Sequence, residues 1–355
     1  MKLEEIDKNL KVDLKIDRTG LVFYSFEEEP FRLYGGMKRG EDGRLYRLPR
    51  EVAANTNSGV LSLSTNTAGG RVRFKTDSSK VAIIAKYSEH SDVYRAAHFP
   101  MTGSAGLDLY EGKIMLGGFT PPFNMPSKAY ESKIIIHGEK RERDLTINLP
   151  LYSDLTELYI GLDEDATLSA PAPYTYELPV VYYGSSITQG ACASRPGSCY
   201  QALISRWLDC DHVNLGFSSS ARGEDAIVEY MATLDMSAFV CDYDHNAPSV
   251  EHLRATHLPI YRKIRAAHPD IPIIFMTRPD DTVKPDIRLP RREVIKATYD
   301  TAVSEGDNNV YFLDPNEDFP FFGDEGTVEG CHPTDLGFYF MAKGLYPILK
   351  EALEK

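Results

Sequence analysis

Four short segments of this chain carry the residue types that acyl transfer requires. The first, Tyr183-Gly184-Ser185-Ser186-Ile187-Thr188, is a serine-bearing turn that closes the apolar run Leu178-Pro179-Val180-Val181-Tyr182-Tyr183. A serine where a strand turns into a helix stands at the rim of a sheet, and nearby backbone N–H groups can face a developing oxyanion. Alone, the segment reads nearly as well as a phosphate-binding or merely structural Gly-Ser turn. The other three segments are Asn214-Leu215-Gly216-Phe217-Ser218-Ser219-Ser220-Ala221, Asp242-Tyr243-Asp244-His245-Asn246-Ala247-Pro248 and Glu329-Gly330-Cys331-His332-Pro333-Thr334-Asp335-Leu336-Gly337. They add small polar turns, an asparagine and a histidine. Together the four hold a nucleophile, oxyanion donors and a base.

Such residues cooperate only if their elements bring them to one place. Apolar runs at 178–183, 213–215, 238–242, 271–276 and 309–313 are predicted strands. They alternate with predicted helices at 200–208, 224–231, 250–267, 291–303 and 335–353. That alternation predicts an α/β fold with a doubly wound, flavodoxin-like parallel sheet of five strands, whose carboxyl ends gather the site. The earlier chain reads differently. Short β-rich runs at 21–24, 59–63, 71–75, 81–85, 133–137, 145–149 and 158–162 are separated by turn residues, which predicts an antiparallel β-sandwich of jelly-roll type. The stretch Ser169-Ala170-Pro171-Ala172-Pro173-Tyr174 reads as the linker, giving domains at 1–170 and 171–355.

Composition narrows the partners. A chain of 355 residues, 42% hydrophobic and 26% charged, has ample material for a globular core. Its net charge of -13 argues against nucleic acid and anionic membranes, and suits a neutral substrate such as an esterified sugar. The opening MKLEEIDKNLKVDLKI has no apolar h-region, and no apolar run is long enough to span a bilayer. Five cysteines at irregular spacings (Cys192, Cys199, Cys210, Cys241, Cys331) fit reduced thiols in the cytoplasm. Their spacing suggests no metal, and nothing in the sequence calls for a cofactor. Self-association into a homo-oligomer is left open.

The four segments, in this order and spacing, resemble those of the SGNH (GDSL-like) hydrolase superfamily, in the branch with a leading β-sandwich. Gly106-Leu107-Asp108-Leu109-Tyr110 is similar to the Gly-x-Asp-Leu-Tyr signature of that leading domain. The resemblance implies Ser186 as nucleophile and His332 as base. It implies an oxyanion hole from the backbone N–H of Ser186, a second-segment N–H and the side chain of Asn246. Three positions depart from the pattern. Ser185 replaces the usual aspartate before the nucleophile. Ser219 stands where the usual second-segment glycine is expected, with Gly216 as the alternative donor; a positive φ there would penalise a serine. Glu329 replaces the usual triad aspartate, completing a triad or leaving a Ser-His dyad.

Other residues have simpler readings. Arg195, Arg222 and His245 are candidate substrate contacts, against the plainer reading of arginines paired with carboxylates and a structural histidine. Asp242 and Asp244 read as loop braces, Asp335 as a helix-start carboxylate and Trp207 as core. Phe23, Tyr24, Phe31, Tyr34 and Tyr46 divide evenly between a sugar-stacking platform and packing. The function expected is a serine carboxylic ester hydrolase removing small acyl groups, acetyl foremost, from carbohydrate. The substrate is then a small-molecule or oligosaccharide ester. The alternatives are an acyltransferase using the same serine and histidine, and a non-catalytic carbohydrate-binding protein on a hydrolase scaffold.

Overall fold

Strands that are apolar on both faces need cover on both sides, and the second half of the chain provides it. The computed structural model describes residues 6–8, 11–88, 96–123, 125, 128–278, 285–314 and 324–355. Its parallel sheet runs Cys210–Gly216, Tyr176–Gly184, Ala238–Asp242, Ile273–Met276, Val310–Leu313, the flavodoxin-like order 2-1-3-4-5. Alternate residues divide between two cores. Val181, Tyr183, Phe239 and Phe275 pack with helices Asp225–Ala232, Val250–Ala267 and Pro285–Ser304, while Val180, Tyr182, Val240 and Met276 pack with Tyr200–Leu208 and Asp335–Leu353. Gly184 pairs with Gly216 on one side and Asp242 on the other, so three of the four segments leave the sheet from a single row.

Beside a two-stranded ribbon of Lys38–Arg39 and Leu45–Tyr46, the first half forms two larger antiparallel sheets around one shared core. One is ordered Leu21–Ser25, Leu155–Asp163, Lys80–Tyr87, Ala129–Ile135. The other is ordered Leu168–Ser169, Arg71–Thr76, Arg143–Asn148, Leu107–Glu111, Ile114–Phe119, with Arg32–Tyr34 also on Arg71–Thr76. Val81, Ile83 and Ile160 of the first sheet meet Val72, Phe74, Leu109 and Ile147 of the second. This is the expected sandwich.

One predicted strand is a helix. Residues 59–63 lie in Ser58–Leu63, which follows helix Arg50–Thr56. Asn57 caps it, Oδ1 accepting from Val60 N at 2.8 Å. Val60 and Leu63, three residues apart, share one helical face and enter the core of the α/β half with Ala221 and Ile227. Alternation misleads here because the segment packs on the other half of the chain rather than in the sandwich.

The leading-domain signature acts at the junction of the halves. Asp108 is fully buried, accepting from Asn148 Nδ2 and from Gly197 N, both at 2.7 Å. The Tyr110 ring lies under the Arg206 guanidinium at 4.0 Å. Gly103 sits so close to the α/β half that a Cβ would lie 2.0 Å from Ala193 O, which only glycine avoids. The aromatics Phe31, Tyr34 and Tyr46 are likewise spent on packing. Phe31 meets Phe74 at 5.0 Å, Tyr34 meets Tyr174 at 4.9 Å, and Tyr46 is buried; Phe23 and Tyr24 are half-buried.

Candidate active site

Gly184 ends the first parallel strand where a Cβ would meet Thr188 Oγ1 at 2.0 Å and Asp242 O at 2.2 Å. The chain therefore turns tightly. Ser185, in extended backbone, caps the next turn by accepting from Ile187 N at 3.2 Å, so the serine at the departing position has a local role. Ser186 opens the turn Ser186–Gln189, which Gly190 closes at φ +104. Its backbone N–H has no acceptor among the described residues, as befits a first-turn donor.

His332 arrives from the far end of the chain. A tight loop holds it, with Val328 N donating to His332 O at 2.8 Å and Thr334 N to Gly326 O at 2.9 Å, before Thr334 caps the last helix. His332 Nε2 lies 2.9 Å from Ser186 Oγ. Glu329 Oε1 lies 2.5 Å from His332 Nδ1 and also accepts from His332 N at 3.0 Å. With Nδ1–H donated to a carboxylate, Nε2 keeps its lone pair for the serine hydroxyl proton. The extra methylene of glutamate is absorbed by folding back across its own turn.

The second segment is held from several sides. Ser219 has φ +55, the left-handed conformation that penalises serine, and its N–H has no acceptor among the described residues. Arg222 donates from Nε and Nη2 to Ser219 O at 3.3 and 3.0 Å. Gly216 does not fit its alternative role: its N–H donates to Asn214 Oδ1 at 2.9 Å, and a Cβ there would meet Gln189 N at 2.2 Å. It is a close-packing glycine. Asn246 Nδ2 donates to Phe217 O at 2.8 Å, tying the third segment to the second and leaving one amide proton for another acceptor. His245 Nδ1 lies 3.7 Å from Cys331 Sγ, linking the third segment to the loop of His332.

Arg195 is engaged elsewhere. It bonds Tyr110 OH at 3.2 Å and pairs with Asp335 at 3.7 Å. Asp335 also accepts from Ser194 N at 2.9 Å and Ser198 Oγ at 2.7 Å, bracing the loop after the Ser186 turn.

Several supporting residues escaped the sequence reading. Arg47 is fully buried without a carboxylate partner among the described residues, and burial pushes its guanidinium down to about 9. It donates to Asn214 O, Gly216 O and Leu63 O at 3.1, 2.6 and 2.8 Å and lies 4.3 Å over Phe217, so it clamps the second segment from below. Gln189 accepts from Ser218 N at 3.0 Å and donates to Asn66 Oδ1 and Leu151 O, fixing the first segment against the second. Phe99 meets the His332 ring at 5.9 Å and Tyr152 at 4.8 Å, and Tyr152 OH donates to Ser186 O at 3.2 Å. Gln189 follows directly on the first segment, which ends at Thr188; the others lie far off in sequence.

Residues 21–168 match the model for the N-terminus of Esterase_SGNH_hydro-type, and residues 177–350 match the GDSL-like Lipase/Acylhydrolase family. The chain belongs to the SGNH, GDSL-like acylhydrolases. Carboxylic ester hydrolysis is the activity that this membership carries. Among solved structures, this acylhydrolase is similar to a protein of Bacteroides ovatus described as a GDSL-like lipase. Identity is 28% and the TM-score 0.81, over 94% of this chain and 98% of that one. It shares its fold with the salicylyl-acyltransferase SsfX3 of a tetracycline biosynthetic pathway (19% identity, TM-score 0.73, 94% and 98% covered). It also shares it with a family two carbohydrate esterase of Clostridium thermocellum in complex with cellohexaose (13%, 0.61, 91% and 99%). No curated protein matches the sequence. No helix among the described residues of this acylhydrolase is long and apolar enough to cross a membrane.

Beneath the Ser186 turn lies Asp242, fully buried, accepting from Thr188 Oγ1 and Tyr200 OH at 3.2 and 3.3 Å. Burial, and then the charge of Asp244, hold its carboxyl well above the usual range. An acid kept protonated in the fold, but ionising near pH 4 or so when unfolded, costs stability as pH rises from that value toward the folded pKa. Asp242→Asn escapes this loss. Its melting temperature relative to wild type is expected to climb between acid and neutral pH; a pH-independent difference in thermal melts would refute the assignment.

Proposed function

We propose that the chain is a serine esterase that removes short acyl groups, acetyl foremost, from carbohydrate. Ser186 is the nucleophile, His332 the general base, and Glu329 the carboxylate that orients the imidazole. The continuous relay from Ser186 Oγ through both His332 nitrogens to Glu329 carries this reading. His332 takes the hydroxyl proton as Ser186 Oγ attacks the ester carbonyl, then returns it to the leaving alcohol. The Ser186 and Ser219 N–H groups and Asn246 receive the oxyanion. Water, activated by the same imidazole, frees the acid. The aromatic wall of Phe99 and Tyr152 beside His332 supports a short acyl group, and the carbohydrate reading draws on the esterase fold relatives. In this reading residues 1–170 and 171–355 are separate domains, the first closing the site. Arg222 serves as a loop clamp with its guanidinium on Ser219 O. Five cysteines without disulfides support a cytoplasmic setting.

p-Nitrophenyl acetate hydrolysis, with labelling by a serine-directed phosphonate, tests the reading. One label per chain on Ser186 is expected, and acetate release from only some acetylated oligosaccharides. Active hydrolysis with the label elsewhere would sink it. The acyltransferase fold relative gives a second reading some support, so products are compared with and without added alcohols. Transfer dominating over hydrolysis would make that reading the better one.

A further inference from the structure

Beside the relay, four donor atoms from distant stretches of chain converge. A ring nitrogen of His98, Cys192 Sγ, a carboxylate oxygen of Glu329 and a ring nitrogen of His332 all lie within 4.8 Å of one another. His98 precedes helix Met101–Ser104 in the first half of the chain and Cys192 follows the nucleophile turn, so no linear spacing betrays the set. The His98 and His332 ring centroids are 5.6 Å apart.

We propose that this cluster is a binding site for Zn2+, and that the bound ion reversibly blocks the esterase. The donors select the ion. Two imidazoles, a thiol and a single carboxylate form the nitrogen–sulfur–oxygen set that zinc takes in tetrahedral geometry, whereas magnesium and calcium require six or more oxygens. Zn–N bonds of about 2.0–2.1 Å and a Zn–S bond of about 2.3 Å give tetrahedral edges of about 3.3–3.8 Å, so the widest pair must close by on the order of 1 Å. His98 and Glu329 are exposed, which gives the ion a path in and the side chains room to shift. On binding, the thiol releases its proton to solvent and the thiolate becomes a ligand.

Blockade follows from the position. Both nitrogens of His332 are committed, one to Ser186 and one to Glu329. Whichever nitrogen the ion takes, one of those two bonds is replaced, and the imidazole can no longer both accept the serine proton and be held by the carboxylate. This inhibitory effect rests on the esterase reading above; the binding does not.

Chelator-treated full-length protein is titrated with zinc chloride alone by calorimetry. Its spectrum is recorded with Co2+ as a probe, and acetate ester hydrolysis is followed as zinc is added and then removed by EDTA. The wild type is expected to bind one ion, to show a thiolate–cobalt charge-transfer band, and to lose activity reversibly. Cys192→Ser and His98→Gln are expected to keep the chelated rate while binding and inhibition weaken by at least about tenfold, since even an outer partner of a metal ligand is worth about 10–100-fold in affinity. Absence of stoichiometric binding, or binding unchanged in both variants, overturns the site. Stoichiometric binding with an unchanged or faster rate overturns the inhibitory role. If chelated wild type hydrolyses no ester, the esterase reading fails, while calorimetry and the cobalt spectrum still decide the site.

Discussion

Ser186→Ala is expected to lower kcat/KM on acetate esters by at least about a thousandfold while the protein still folds, since losing a triad nucleophile leaves only oxyanion and binding terms. Ser186 is 8% exposed and its hydroxyl is bonded to His332 Nε2, so the substitution removes one hydrogen bond and no core contact. Such a bond is worth about 1 kcal/mol net, and the melting temperature should move little. Ser185, the neighbouring hydroxyl, cannot stand in: its Oγ is fully buried in the cap of the same turn and accepts from Ile187 N. Phosphonate labelling should vanish together with turnover. A variant retaining more than about a hundredth of wild-type activity would contradict a serine nucleophile.

The parts of this molecule legible in sequence are those that depend on local pattern. Five apolar runs alternating with helical periods specify the parallel sheet, because a strand covered on both faces has no polar side to alternate. Ser186 and Asn246 are legible because their segments follow strand ends, and the pairing of Gly184 with Gly216 and Asp242 gives those segments a common rim, whereas His332 stands in the loop ahead of the last helix. What stayed hidden depends on contacts between distant stretches. Arg47 sits among apolar residues in Leu45-Tyr46-Arg47-Leu48, and nothing local says that its partners include the carbonyls of Asn214 and Gly216, far along the chain. The helix at Ser58–Leu63 was misread because its apolar face meets the α/β half. The left-handed Ser219 was anticipated only as a penalty, and the Arg222 clasp that accompanies it became visible once both loops were in place.

Glu329→Gln is expected to reduce kcat by about 100-fold or more with little change in KM, and Glu329→Asp by about tenfold or less, given the much larger loss known when a triad carboxylate becomes an amide. The carboxylate serves His332 twice, on the ring Nδ1 and on the backbone N–H. Glutamine keeps the shape, yet its charge is gone and its amide can present N–H to the ring, which favours the tautomer that withdraws the lone pair from Ser186. The imidazolium formed during attack then lacks its counter-charge. Glu329 is 40% exposed on its side chain, so water screens part of that interaction and the loss should fall well short of that at a buried carboxylate. Aspartate retains the charge with a shorter reach, and so separates charge from length. Comparing the three proteins by kcat and KM on one ester decides between triad and dyad. If the glutamine variant runs at the wild-type rate, Glu329 only closes its turn, and a Ser186–His332 dyad does the chemistry.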